Sequence, residues 1–288
     1  MPRSLVITAD DFGLSHGVNL AVEKAWKEGI LTSASLMAGG AAFGEALEIS
    51  ARNPGLQTSL HLTLVQGRSV LPHEKIPGLV DRNGHFTNNP YIAGMRYFFD
   101  KNLYPQLRDE IEAQIKRVID SGINLTHIDG HLNIHMHPTV FSILAELMPL
   151  YGIRSFRLSR ERLFHCLMFD RSRLLGKSIE SFIFSSLAKN CRPLLDRFGI
   201  TYAVEVKGLL SSGRMTRDYI TAILDDIQEG TTELYFHPGI LPDNEITGRM
   251  PDYRHEDELA AMTDPFVMEK IGSSGITLAN YRGEKKEI

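Results

Sequence analysis

A β/α barrel-like domain, with parallel strands alternating with helices, is the fold predicted by this 288-residue sequence. Three observations carry that prediction. Short runs rich in apolar and β-branched residues alternate with stretches of helical periodicity along most of the chain. Residue types that do chemistry stand at or just after the ends of those runs, at Asp10 and Asp11, His61, His127 to His131, and His237. A barrel gathers distant strand ends around one mouth, which an open doubly wound sheet does less easily. The expected architecture is therefore TIM-barrel-like, with room for an incomplete or distorted barrel and for inserted loops.

The first run, Ser4 to Ala9, reads as a buried strand feeding a polar loop. After it Val18, Ala21, Val22, Ala25 and Trp26 recur at helical spacing, and Gly29 stops the helix. Further strands are predicted over Ser33 to Ala38, Gln57 to Leu64, Leu125 to Ile128, Ile153 to Leu158, Ala203 to Val206, Glu233 to Phe236 and Gly275 to Leu278. Apolar positions 107, 111, 115, 118 and 119 mark one face of a helix that ends at Gly122. Two segments interrupt the alternation. Residues 66–104 carry turn chemistry without clear periodicity and read as a long inserted loop. Residues 159–189 are arginine-rich and then apolar, and read as a helical insertion. One domain is predicted over 1–281, with 282–288 a charged, frayed tail.

Bulk properties narrow the function. A net charge of −4 with interspersed signs offers no basic face, so nucleic acid is disfavoured as a partner. Cys166 and Cys191 have neither disulfide-framework nor thiolate-zinc spacing, and read as buried thiols in a reducing cytoplasm. The apolar run at the amino terminus stops at two aspartates, too short for a signal peptide, and no stretch reaches membrane-spanning length.

Four of the eleven histidines crowd into Thr126-His127-Ile-Asp129-Gly-His131-Leu-Asn-Ile-His135-Met-His137-Pro138. Imidazole is the usual protein ligand of divalent transition metals and the usual proton carrier near neutral pH, so the cluster points to chemistry. The His127-x-x-x-His131 spacing sets both rings on one side if the loop turns helically. If only one binds metal, His131 is the better placed, because Gly130 lets the chain turn sharply toward the mouth. His127 is then a packed support or a reserve ligand, with Asp129 beside it. His135 and His137 read as rim or helix-start residues, with Pro138 in the first helical turn.

Asp10 and Asp11 repel each other if both ionise, so a partly buried pair calls for a cation or a proton; a helix cap plus a solvated carboxylate is the plainer alternative. His61 lies on the face opposite Leu60 and Leu62, which in a barrel is the interior. His237 is presented at a strand end by Pro238-Gly239, where a general acid or base is expected. Arg157 suits a carboxylate or a substrate, or a surface ion pair.

Taken in order, Thr8-Ala9-Asp10-Asp11-Phe12-Gly13, Leu60-His61-Leu62, Thr126-His127-Ile-Asp129-Gly-His131 and His237-Pro238-Gly239 resemble the YdjC-like carbohydrate deacetylases. Leu64-Val-Gln-Gly-Arg-Ser-Val-Leu-Pro72, Ile76-Pro-Gly-Leu-Val-Asp81, Ala93-Gly-Met-Arg-Tyr-Phe-Phe99 and His135-Met-His137-Pro138 resemble its hopanoid-biosynthesis-associated branch. The resemblance implies a β/α barrel and removal of an N-acetyl group from an acetylated amino sugar with one divalent metal ion. Position by position it implies Asp11, His61 and His131 as metal ligands and Asp10 as base; His237 matches a motif histidine, to which an acid role is assigned here. Magnesium is the metal by family description, whereas two imidazoles and one carboxylate suit zinc by ligand type.

For the branch, the implied substrate is N-acetylglucosamine on a hopanoid lipid, with Tyr97 to Phe99 and Phe164 to Phe169 as candidates to hold the polycyclic tail. The resemblance also implies a homodimer; a transient membrane-surface contact is a further expectation, and the cysteine usage points to the cytoplasm. Competing functions are deacetylation of a chitooligosaccharide or another soluble N-acetyl sugar, a metal-dependent phosphoesterase, which would need lysine or arginine converging on the site, and a sugar- or lipid-binding protein without turnover.

Overall fold

The strands, in chain order, are β1 (Arg3–Phe12), β2 (Ser33–Leu36), β3 (Gln57–Leu62), β4 (His127–Gly130), β5 (Ser155–Phe156), β6 (Glu205–Lys207), β7 (Gly230–Phe236) and β8 (Ile276–Leu278). The computed structural model of the protein describes residues 2–288, without the side chains of His165 and Phe169. The helices are α1 (His16–Glu28), α2 (Phe43–Arg52), α3 (Pro90–Phe99), α4 (Tyr104–Asp120), α5 (Pro138–Leu150), α6 (Leu163–Phe169), α7 (Leu174–Arg197), α8 (Arg217–Leu224), α9 (Asn244–Arg249), α10 (His255–Met262) and α11 (Pro265–Ser273). Every strand pairing is parallel, in the order β5-β4-β3-β2-β1-β7-β6, with β8 on β1. The two ends of this path approach each other. Ser155 bridges Thr201, and the Val206 amide donates to the Arg160 carbonyl at 3.0 Å. The sheet thus curls into the predicted barrel-like form, with an irregular seam between β5 and β6.

β1 is the longest strand because three partners use it. β7 pairs along residues 3–9, while β8 takes residues 3–5 and β2 begins at Thr8. Its outward Leu5, Ile7 and Ala9 are fully buried under helices, as expected of a parallel sheet covered on its outer face. The inward face is polar. In register around the barrel lie Thr8 beside Tyr235, Ser33 beside Gln57, Ser35 beside Ser59, His61 beside Asp129, and His127 beside Ser155, all buried. Burying so many polar groups is tolerable only when they bond one another.

Local chemistry sets the helix ends. Ser15 caps α1, Asn89 caps α3 ahead of Pro90, and Asp264 caps α11 ahead of Pro265. Residues 66–104 depart from the predicted loop, since 90–99 form α3 and a short 3-10 turn covers Lys101–Leu103. The remainder is pinned by the buried Glu110, whose carboxylate accepts from the Val70 and Leu71 amides at 2.8 and 2.9 Å. The helical insertion predicted at 159–189 is α6 plus an α7 that continues to Arg197.

The carboxyl-terminal segment is not frayed. The Lys286 amide donates to the Leu278 carbonyl at 3.0 Å, and its ammonium donates to the carbonyls of Trp26 and Leu31 while lying 4.3 Å from the Trp26 ring centroid. Two carbonyls and an aromatic face outweigh the charge repulsion that composition alone suggests. Removing residues 282–288 is expected to cost about 1–3 kcal/mol. The check is a lower urea midpoint at unchanged slope.

Candidate metal and hydrolase site

The site begins with a bulge in β1. Pairing with β2 advances from Ala9↔Ala34 to Phe12↔Leu36, so β1 carries one residue more than its neighbour, and Asp11 adopts a left-handed φ of 62°. In a regular strand adjacent side chains point to opposite faces. Here the bulge lets both Asp10 and Asp11 reach the barrel mouth, where each approaches His61.

Asp11, His61 and His131 form one cluster. The His131 Nδ1 lies 2.9 Å from Asp11 Oδ1, and His61 Nε2 lies 3.3 Å from the same oxygen. On its other side His61 Nδ1 donates to Asp129 Oδ1 at 2.7 Å, and Ser35 also bonds this carboxylate. An acceptor on Nδ1 leaves Nε2 as the atom that can ligate. Asp11 Oδ2 and His131 Nε2 are buried without a hydrogen-bond partner among the described residues. Two orphaned lone-pair atoms in a carboxylate–imidazole set are what a divalent cation would satisfy, so these residues fit a metal.

Asp10 belongs to a second network. Arg157, 1% exposed, donates from Nη1 to Asp10 Oδ2 at 2.7 Å and from Nη2 to Oδ1 at 2.8 Å. The same guanidinium meets Asp129 Oδ2 at 3.1 Å and donates to Glu233 Oε1 from both Nε and Nη2. Thr8 and Tyr281 hydroxyls donate to Glu233 at 2.7 and 2.6 Å. His127, Asp129 and Glu233 also come close enough to suggest a cation, yet Arg157 already supplies that charge.

Protonation follows from these neighbours. Burial would push the Asp11 carboxyl up, but His131 and His61 outweigh it and hold it well below the usual range. Burial would likewise lower His61, but Asp10, Asp11 and Asp129 raise it to about 10. His127 and His135 are driven by burial down to about 3, and His237 to about 4. A cation bound nearby would depress His237 further. It therefore stands neutral at physiological pH, without the proton that a resting general acid needs.

Several sequence expectations are revised. Gly130 is extended at φ −173°, so it makes no sharp turn; the left-handed residues are Leu132 and Asn133, inside the 3-10 turn His131–Met136. Gly130 is needed for closeness, because a Cβ there would stand 3.0 Å from both the Leu62 carbonyl oxygen and His135 Nδ1. His127 and His131 do not share one side of a helical turn. His127 opens β4 and lies deeper, stacked 3.8 Å from the Tyr281 ring and 2.9 Å from Ser155 Oγ. His135 is not at the rim; it is fully buried and donates to the Arg157 carbonyl at 2.8 Å. His137 does precede Pro138 and bonds the Gly94 carbonyl, tying the start of α5 to α3.

Of the alternatives open for Arg157 in the sequence, the structure shows the one in which it orients a carboxylate, and it makes no surface ion pair. Glu233 and Tyr281 were missed altogether. The alternation Glu233-x-Tyr235-x-His237 on one strand face was the available signal for Glu233.

Above the cluster opens a cavity of about 1000 Å³ with Asp10, His61, His131, Tyr235 and His237 at its floor. Its walls include Tyr91, Met95, Phe98 and Phe99 of α3 and Ile183 and Phe184 of α7. Tyr97 turns away, buried, with its hydroxyl donating to the Leu64 carbonyl at 2.6 Å. A second cavity of about 890 Å³, between residues 66–88 and α9, holds none of the barrel-interior residues.

This arrangement defines a β/α barrel-like protein whose chemistry is carried by the carboxyl ends of parallel strands. The chain belongs to the YdjC-like protein family, whose model matches residues 4–272. It is 30% identical over 281 residues to a carbohydrate deacetylase of Thermoanaerobacter pseudethanolicus, covering 97% of this chain and 98% of that one. A carbohydrate deacetylase of Geobacillus stearothermophilus is 29% identical, with 98% of each chain covered. A crystal structure from Enterococcus faecalis V583, described as a candidate cellobiose-phosphate cleavage protein, superposes with a TM-score of 0.74 at 27% identity, covering 98% of each chain.

Two outcomes follow from the geometry. Metal uptake must displace the His61 proton, so affinity for a divalent cation should rise about tenfold per pH unit from pH 6 toward pH 10. Calorimetry in buffers of different ionisation enthalpy should show about one proton released per ion. Replacing Arg157 by Met leaves buried carboxylates unpaired, and should destabilise the fold by roughly 3–5 kcal/mol in denaturant titrations.

Proposed function

We propose that the protein is a metal-dependent carbohydrate N-deacetylase acting on an acetylated amino sugar. The observation that carries this reading is the Asp11, His61 and His131 cluster set beside an Asp10 whose two oxygens are held by Arg157, with Asp10, His61 and His131 lining the floor of one large cavity. Support also comes from two full-length relatives named carbohydrate deacetylases.

Asp11, His61 and His131 would hold a divalent cation, and the chemistry it would supply there is Lewis acidity. Imidazole ligands favour zinc or its neighbours over magnesium. Asp10 accepts a proton from the attacking water, whose oxygen bonds the acetyl carbon. As the carbon–nitrogen bond breaks, Asp10 returns that proton to the departing nitrogen, and acetate leaves. Arg157 keeps Asp10 aimed throughout, through two charge-assisted bonds. Neutral His237 donates a hydrogen bond to the reacting acyl group, which replaces the standing-acid role assigned from sequence. Asp129 and His127 hold His61 and the barrel floor without touching substrate. Arg157 is already surrounded by carboxylates, and of the cations on the cavity wall Arg173 and Lys177 pair with Glu180 and Asp170 while Arg214 makes no ion pair among the described residues, which gives a phosphoesterase little support.

The particular substrate proposed is N-acetylglucosamine carried on a hopanoid lipid. The apolar wall of α3 supports this, since Met95, Phe98 and Phe99 give a sugar-sized polar floor a hydrophobic entrance. Tyr97 drops out as a lipid contact because it is buried, and Phe169 lies outside the described residues.

Mass spectrometry of acetylated glycosides and glycosylated hopanoids incubated with enzyme should show loss of one acetyl group, abolished by chelator; no loss from any N-acetyl sugar would overturn the reading. Asp10→Asn should lower acetate release by about 10²–10⁴-fold with metal content unchanged. His237→Asn should retain more activity than His237→Ala, whereas a general acid would be lost equally in both. Replacing Phe98 and Phe99 by serine should impair the lipid-linked substrate and spare a soluble glycoside, and equal impairment of both would sink the lipid assignment.

A further inference from the structure

The cavity mouth lies between two helices that present apolar stripes outward. On α3 Tyr91, Met95 and Phe98 recur at i, i+4 and i+7, and Tyr91 is 83% exposed. On α7 Leu175, Ile179 and Phe182 repeat the same spacing, with Leu175 76% and Phe182 74% exposed. Helices of a water-facing protein ordinarily turn such stripes inward. Tyr91, Met95 and Phe98 line the cavity themselves, and the α7 stripe adjoins it through Ile183, which follows Ile179 by one turn, is 46% exposed and forms part of the cavity wall.

Charge accompanies the apolar surface. Lys189 lies seven residues beyond Phe182 and so on the same face of α7, and Arg197 is the last residue of the helix. Arg171 and Arg192 are exposed on or beside the same helix, while Arg173 pairs with Glu180 at 3.1 Å and Asp196 is a further exposed acid of residues 171–197. This excess of positive charge sits in a chain whose net charge is −4. An exposed apolar stripe bordered by cations is the signature of a helix lying in a membrane interface, attracted by anionic headgroups. No helix among the described residues is long and apolar enough to cross a membrane, so the contact would be one of surface immersion.

We propose that α3 and α7 dock the protein on an anionic lipid bilayer with the cavity mouth facing the membrane. A second copy of the chain on this face would close the entrance that the substrate must use. A bilayer would instead present a lipid-anchored amino sugar directly to the floor. The proposal rests on the deacetylase reading for its purpose, but not for its measurement.

The test is flotation of the purified protein with phosphatidylcholine vesicles, with and without phosphatidylglycerol, alongside deacetylation of a soluble N-acetylglucosamine glycoside. Leu175, Ile179 and Phe182 lie outside the cavity lining. The protein should float with the anionic vesicles and be released by salt. L175S/I179S/F182S should partition at least about tenfold more weakly, with unchanged turnover of the soluble glycoside. K189E/R197E, which leaves the apolar stripe intact, should lose the salt-sensitive part of binding and guards against a folding defect in the triple variant. Wild-type protein that floats with neither vesicle, or variants that float as well as wild type, would overturn the proposal. So would a wild-type dimer that the triple substitution converts to monomer without any vesicle binding. Flotation without turnover of any N-acetyl sugar would leave docking standing and remove the deacetylase.

Discussion

One guanidinium holds three carboxylates inside the barrel. Arg157 binds Asp10, Asp129 and Glu233 at once, in a place where an isolated charge of either sign would be costly. Asp129 in turn fixes His61, and His61 and His131 hold Asp11 ionised. The acids and imidazoles of the mouth are therefore not independent surface groups. They are the upper layer of a bonded polar interior, each member desolvated and each dependent on its neighbour.

That interior has a consequence for how the barrel is sealed. A hydrophobic barrel could close by packing alone, whereas this one needs donors and acceptors matched at every level. Tyr281, reached by the chain only after β8, supplies a hydroxyl to Glu233 and a ring to His127. The last residues then fold back, with Lys286 on the Trp26 ring and two carbonyls. The carboxyl-terminal segment is thus tied to the same network that orients the proposed base.

Much of this was readable in the sequence. Alternation of strands and helices, the inward parity of His61 against Leu60 and Leu62, and the placement of Asp10, Asp11, His131 and His237 at strand ends all follow from local periodicity, and the structure brings those residues together as expected. The metal set itself came from a family resemblance, and periodicity alone left His127 and His131 as alternatives. Where local reasoning failed, a distant partner decided. Gly130 was read as a turn residue because glycine permits turns, but its extended backbone answers to Leu62 and His135. Tyr97 and Phe99 look equivalent in sequence, yet one is buried against the Leu64 carbonyl and the other is exposed. The charged tail looked frayed because composition does not reveal an aromatic face waiting for it.

By itself, then, the sequence determined the class of fold, the strand ends that carry chemistry and the residue types available there, because these depend on patterns within a few residues. Only the tertiary structure decided that a bulge in β1 turns two adjacent aspartates into the same mouth, one to Arg157 and the other to His61 and His131. It also decided that burial presses His237 toward its neutral form and that Arg157 is enclosed. The physical reason is that protonation and charge pairing are set by desolvation and by neighbours more than a hundred residues away, and no local pattern encodes them.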